Sequence, residues 1–149
     1  MLSRRSFLTL GGAAALGIAG YTAASFWGAR AKEALVMAPD EAHRAAARGE
    51  ILLVDIRRPD EWSDTGIGEF AVPLDLRSDG FIAGILAAQE NKAQPVAVIC
   101  ARGVRSARTT LRLVEAGISP VIDVPEGMLG SRAGPGWLAR HLPTVSYPL

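Results

Sequence analysis

Two uninterrupted apolar runs constrain this chain most. Ile51-Leu52-Leu53-Val54 leads into Asp55-Ile56, and Val96-Ala97-Val98-Ile99 leads into Cys100. Neither run alternates apolar with polar residues, so neither suits a strand with one face in water. Short continuous runs of this kind fit strands covered on both faces, the usual place of a strand inside a parallel sheet. Parallel neighbours need crossover connections, and helical patterns stand between the runs. Pro39 to Arg48 opens with proline at a first helical position, sets Asp40 and Glu41 at the positive end of the helix dipole, and stops at Gly49. Phe81, Ile82, Ile85 and Leu86 share one helix face, closed by Asn91-Lys92 and Pro95. Ala107 to Ala116 reads as another helix, and Pro73 confines Ala71 to Asp75 to a sheet edge or strand end. The expected class is α/β, a mainly parallel central sheet flanked by helices on both faces.

Length and charge narrow the setting. The 149 residues suit one domain. Sixteen Lys and Arg stand against fifteen Asp and Glu, but Arg4, Arg5 and Arg30 lie in the first 31 residues and no acid precedes Glu33. The remainder carries thirteen basic and fifteen acidic side chains, a balance that gives no support to nucleic-acid binding. Cys100 is the sole cysteine, so an internal disulfide and a cysteine-rich zinc site are both excluded. No metal or cofactor is implied.

Residues 1–31 read as a targeting segment. Ser3-Arg4-Arg5-Ser6-Phe7-Leu8 precedes Thr9 to Ala29, which has no charge and is rich in Gly and Ala. This resembles a twin-arginine export signal, with Ala29-Arg30-Ala31 as a small-x-small cleavage site. The same 21 uncharged residues could also remain as a membrane anchor, being long enough for a bilayer core of about 30 Å. Either way the rest of the chain is expected outside the cytoplasm, periplasmic or exported, with the export machinery as a partner through residues 1–31. Residues 32–38 are then a linker and 39–149 the domain.

The chemistry concentrates at Cys100-Ala101-Arg102-Gly103-Val104-Arg105-Ser106. A strand running into a glycine-containing loop and then a helix aims backbone N–H groups and the positive helix end at the loop centre. A thiol in that positive field is favoured as thiolate, the nucleophilic form, against the plain alternative of a buried structural cysteine. Arg102 and Arg105 would attract an anionic substrate. The Cys-x4-Arg spacing is one residue short of the Cys-x5-Arg loop that cysteine-dependent phosphatases wrap around a phosphate. The smaller ring suits a sulfane sulfur.

Three other residues invite weighing. Asp55 and Arg57 stand at the C-terminal end of the first apolar run, where sites gather in open α/β sheets. The plainer account is that Asp55 caps the turn and pairs with Arg57. His43, on an Ala-rich surface helix, reads as a solvated residue.

The residues from Leu53 to Arg57, with Pro59-Asp60-Glu61-Trp62, resemble the Val-Asp-x-Arg...Glu-aromatic block that opens rhodanese-like domains. Cys100 to Ser106 matches their active loop, Cys-x-x-Gly-x-Arg-Ser. Ala107, Leu111 and Gly117, the strand-like Val121-Ile122-Asp123-Val124, Glu126-Gly127 where Gly-Gly is common, and the Trp137 to Pro143 segment continue the likeness, which spans Pro39 to Pro143. The resemblance implies a single-domain rhodanese fold and a sulfurtransferase. In it Cys100 carries a persulfide, the loop amides cradle that sulfur, a small anionic donor such as thiosulfate supplies it, and a thiol or cyanide accepts it. A non-catalytic rhodanese-fold module serving a periplasmic partner protein is the alternative. Two departures stand out. Gly66-Ile67-Gly68-Glu69-Phe70-Ala71 lacks the family's usual histidine, and the segment 128–136 is longer than usual, either a cover over the cysteine or surface packing.

Overall fold

The computed structural model describes residues 35–147; the leader, residues 1–31, lies outside them. Five parallel strands form the central sheet in the order β1-β6-β5-β2-β4. They are β1 (Leu35–Val36), β2 (Leu52–Asp55), β4 (Val72–Pro73), β5 (Val96–Ile99) and β6 (Val121–Val124). The two apolar runs are neighbours at its centre, with Leu52 opposite Val96 and Asp55 opposite Ile99. Every residue of β2, β5 and β6 is buried, as their unbroken apolar patterns require. Pro73 lies on the edge strand β4, where its missing N–H breaks no interior ladder. A second, antiparallel pair joins β3 (Ile67–Gly68) to β7 (Thr144–Val145).

Among the described residues there are five helices: α1 (Pro39–Ala47), α2 (Pro59–Thr65), α3 (Phe81–Ala88), α4 (Val104–Glu115) and α5 (Gly136–Ala139). They cover both faces of the sheet. On one face Ala42 and Ala45 of α1 and Trp137 of α5 pack with Leu53, Ala97, Ile99 and Ile122. On the other, Phe81 and Ile85 of α3 and Leu113 of α4 pack with Val54, Val96, Val98 and Cys100. Alternate residues of each central strand therefore serve opposite cores.

Three local expectations need correcting. Leu35 and Val36 fall in the segment taken as linker, yet they form β1 and pair with Ile122 and Asp123 of β6. The sheet thus begins before Pro39. His43 is not solvated: its Nε2 lies 2.9 Å from Glu69 Oε2, and its ring packs 5.5 Å from Trp137 and 5.4 Å from Phe70. The third concerns α4, which starts at Val104 rather than Ala107, so Val104, Arg105 and Ser106 of the expected loop belong to the first helical turn.

Candidate active site

Strand β5 ends at Ile99 and delivers Cys100 to the C-terminal edge of the sheet. The chain then turns over Ala101 and Arg102 to Gly103, whose left-handed conformation (φ 82°) starts α4. A side chain at Gly103 would be strained by that φ and would run into the carbonyl oxygen of Pro125. The tight turn brings helix donors onto the sulfur. Cys100 Sγ accepts from Gly103 N at 3.1 Å and from Ser106 N at 3.4 Å, with Ser106 Oγ at 3.6 Å. The positive end of a helix and two N–H groups converge on one sulfur atom. Cys100 is only 1% exposed, while Arg102 and Val104 on the rim are exposed.

The two loop arginines differ. Arg105 forms a two-pronged pair with Glu61, Nη2 to Oε1 at 2.6 Å and Nη1 to Oε2 at 2.8 Å, clamping α4 to α2. Glu61 also accepts the Arg58 N–H at 3.0 Å, closing the N-terminus of its own helix. The Arg105 guanidinium holds the Glu61 carboxyl below its ordinary range. Among the described residues, Arg102 is committed only to a long 3.4 Å contact with the Gly130 carbonyl, which leaves its charge at the rim of the cysteine loop.

A family model described as Rhodanese-like domain matches residues 38–132. The chain belongs to the rhodanese-like family. Solved structures agree with its fold. The crystal structure of Rv0390 from M. tuberculosis matches at 26% identity and TM-score 0.60, covering 78% of this chain and all of that one. The polysulfide-sulfur transferase homodimer from Wolinella succinogenes matches at 21% identity and TM-score 0.60, over 86% of this chain and 90% of the other. A thiosulfate sulfurtransferase from Pseudomonas aeruginosa matches at 23% identity and TM-score 0.60, over 83% of this chain and 22% of that longer one. A comparison with curated proteins finds no match.

Within this rhodanese domain, Asp55 and Arg57 do not touch the sulfur. Asp55 accepts the Arg57 N–H at 3.1 Å and its guanidinium at 2.7 Å, and both side chains are fully buried. Arg57 also donates to the Glu61 and Gly66 carbonyls and to Thr65 Oγ1. Its five N–H groups bolt α2 to the end of β2, and α2 in turn carries the carboxylate that holds Arg105.

The segment 128–136 packs beside the cysteine loop. Met128 N donates to the Cys100 carbonyl at 2.8 Å and Leu129 N to that of Ala101 at 2.9 Å. Glu126 fastens the far end, accepting Gly136 N at 3.0 Å and Arg140 at 2.6 Å. Two residues near the site carry no recognisable single-sequence signal. Glu61 is 44 positions from Arg105, and only the family block points to it. Asp123 on β6 lies beside Ser106, and burial pushes its carboxyl above the ordinary range while its Oδ1 has no hydrogen-bond partner among the described residues.

Proposed function

We propose that this protein is a rhodanese-type sulfurtransferase that carries a sulfane sulfur on Cys100. The observation that carries this reading is the convergence of Gly103 N, Ser106 N and the start of α4 on Cys100 Sγ. Such donors stabilise negative charge, first on the attacking sulfur and then on the terminal sulfur of a persulfide. Family membership and the sulfurtransferases among the structural matches support it.

The reaction has two displacements. Cys100 thiolate attacks the outer sulfur of thiosulfate; the new Sγ–S bond forms as the S–S bond of the donor breaks, and sulfite leaves with that electron pair. Cyanide or a thiolate then attacks the outer sulfur of the persulfide, and Cys100 leaves as thiolate. Each step exchanges one bond to sulfur for another, so no external oxidant or reductant is needed. Arg102 is the charge that meets the anionic donor, and Arg105 holds the loop through Glu61. The kinetics are ping-pong.

The test is thiocyanate production from thiosulfate and cyanide by the full-length chain and its Cys100→Ser variant. We expect turnover with parallel double-reciprocal plots, abolished by the substitution. Equal turnover by the variant would overturn the reading. We further propose that residues 1–31 export the protein or anchor it in the inner membrane, which places this chemistry in the periplasm.

A further inference from the structure

Among the described residues, one side of the helix that starts at the sulfur is unclaimed. Ser106, Thr109, Thr110 and Leu113 of α4 are buried against the domain. On the outer side Val104, Leu111 and Val114 are 62, 62 and 52% exposed. With exposed Ala107 they recur at i, i+3, i+7 and i+10, which aligns them in one stripe. Arg105, Arg108 and Arg112 form a second row along its flank. Arg105 is held by Glu61, whereas Arg108 and Arg112 are exposed and have no ion-pair partner among the described residues. Glu115, at the far end, is the one acid on the outer side of the helix.

We infer that this side of α4 is the docking surface for a protein sulfur partner whose own contact strip is apolar and edged with Asp and Glu. The inference rests on the sulfur-transfer reading of Cys100 and names its partner. Charge selects the occupant. A second copy would meet this face through a self-complementary contact, crowding Arg108 and Arg112 against the same basic row. The leader brings Arg4 and Arg5 and no acid. An anionic membrane would answer the charge, but the stripe lacks the aromatic residues that anchor interfacial helices. Position gives the reason for a partner. Val104 begins the stripe and directly follows Gly103, whose N–H donates to Cys100 Sγ. A protein seated along α4 therefore ends beside the sulfur. Its cysteine thiolate attacks the outer sulfur of the persulfide, a new S–S bond forms on the partner, the Sγ–S bond breaks, and Cys100 keeps that electron pair.

The experiment loads full-length protein with thiosulfate and offers it two synthetic helical peptides with an N-terminal cysteine and identical apolar strips, one edged with Glu and one with Lys. We expect the Glu peptide to discharge the persulfide about tenfold faster at low salt, with the gap closing at high salt. Leu111→Ser should narrow the gap and the Arg108→Glu, Arg112→Glu pair should reverse it, while cyanide discharges all variants at the unaltered rate. Equal rates for the two peptides, or a preference that survives the double charge reversal, would overturn the docking surface. So would binding to phosphatidylglycerol vesicles that Leu111→Ser abolishes without any peptide preference, an outcome that assigns the stripe to a membrane. Absence of any cyanide-dischargeable sulfur would remove the sulfur-transfer reading itself and the docking surface with it.

Discussion

Glu61 closes the N-terminus of α2 and grips Arg105 with the same carboxylate. Because Arg105 holds that carboxyl below its ordinary range in the folded chain, the pair stabilises the fold at neutral pH. The contribution is lost as pH falls through the depressed folded value. Glu61→Gln should therefore lower stability by about 2 kcal/mol near neutral pH. In urea titrations the difference from the unaltered chain should shrink below about pH 4, where an unfolded glutamate also takes up its proton. A difference independent of pH would show that the carboxylate charge is not what binds Arg105. Arg102 answers to kinetics rather than stability, since among the described residues its side chain makes one hydrogen bond, a long one to Gly130. Arg102→Ala should raise the thiosulfate KM several-fold with little change in kcat, the pattern of lost uniform binding. An unchanged KM would remove Arg102 from donor recognition.

At the level of elements, the cradle is the first turn of α4 more than a free loop. Gly103 makes it possible, and Gly103→Ala would add left-handed strain of about 1–3 kcal/mol and displace the Pro125 carbonyl from the turn. Gly117 shares the same φ of 82°, but a side chain there meets nothing within 4 Å. Gly117→Ala therefore carries the strain alone. We expect sulfur uptake from thiosulfate to collapse in the Gly103 variant and to persist in the Gly117 variant. Similar uptake by both would mean that the turn is not what forms the cradle. The start of α4 was hard to read because Cys100 to Ser106 forms one motif in sequence but two elements in space. The buried strands were legible, since four apolar residues in a row leave no face for water. Leu35 and Val36 were not: a two-residue strand has no period, and its partner lies 87 residues away. His43 failed for the same reason, as Glu69 becomes its neighbour only through the fold. Asp55 with Arg57 was legible because the pair is local, two residues apart.

Across the whole molecule, a line of ion pairs and hydrogen bonds runs from the sheet to the head of α4. Asp55 holds Arg57, Arg57 holds α2, and Glu61 of α2 holds Arg105 at the head of α4. Breaking its buried link with Arg57→Ala should cost about 3–5 kcal/mol by leaving Asp55 uncompensated, measured as a lowered urea midpoint. A loss below about 1 kcal/mol would mean that water or a neighbour replaces the guanidinium. At the other end of the chain, Arg4→Lys with Arg5→Lys should leave the protein in the cytoplasm on cell fractionation. Unchanged periplasmic recovery would refute a twin-arginine route. The claim at the centre is that Cys100 takes a sulfur atom into its cradle of amides. Its most direct measurement is the intact mass of the full-length chain after incubation with thiosulfate. We predict a species one sulfur atom heavier, located on Cys100, erased by cyanide and absent from Cys100→Ser. An unchanged mass with thiosulfate and with every other sulfane-sulfur donor offered, or an adduct that persists in Cys100→Ser, would contradict it.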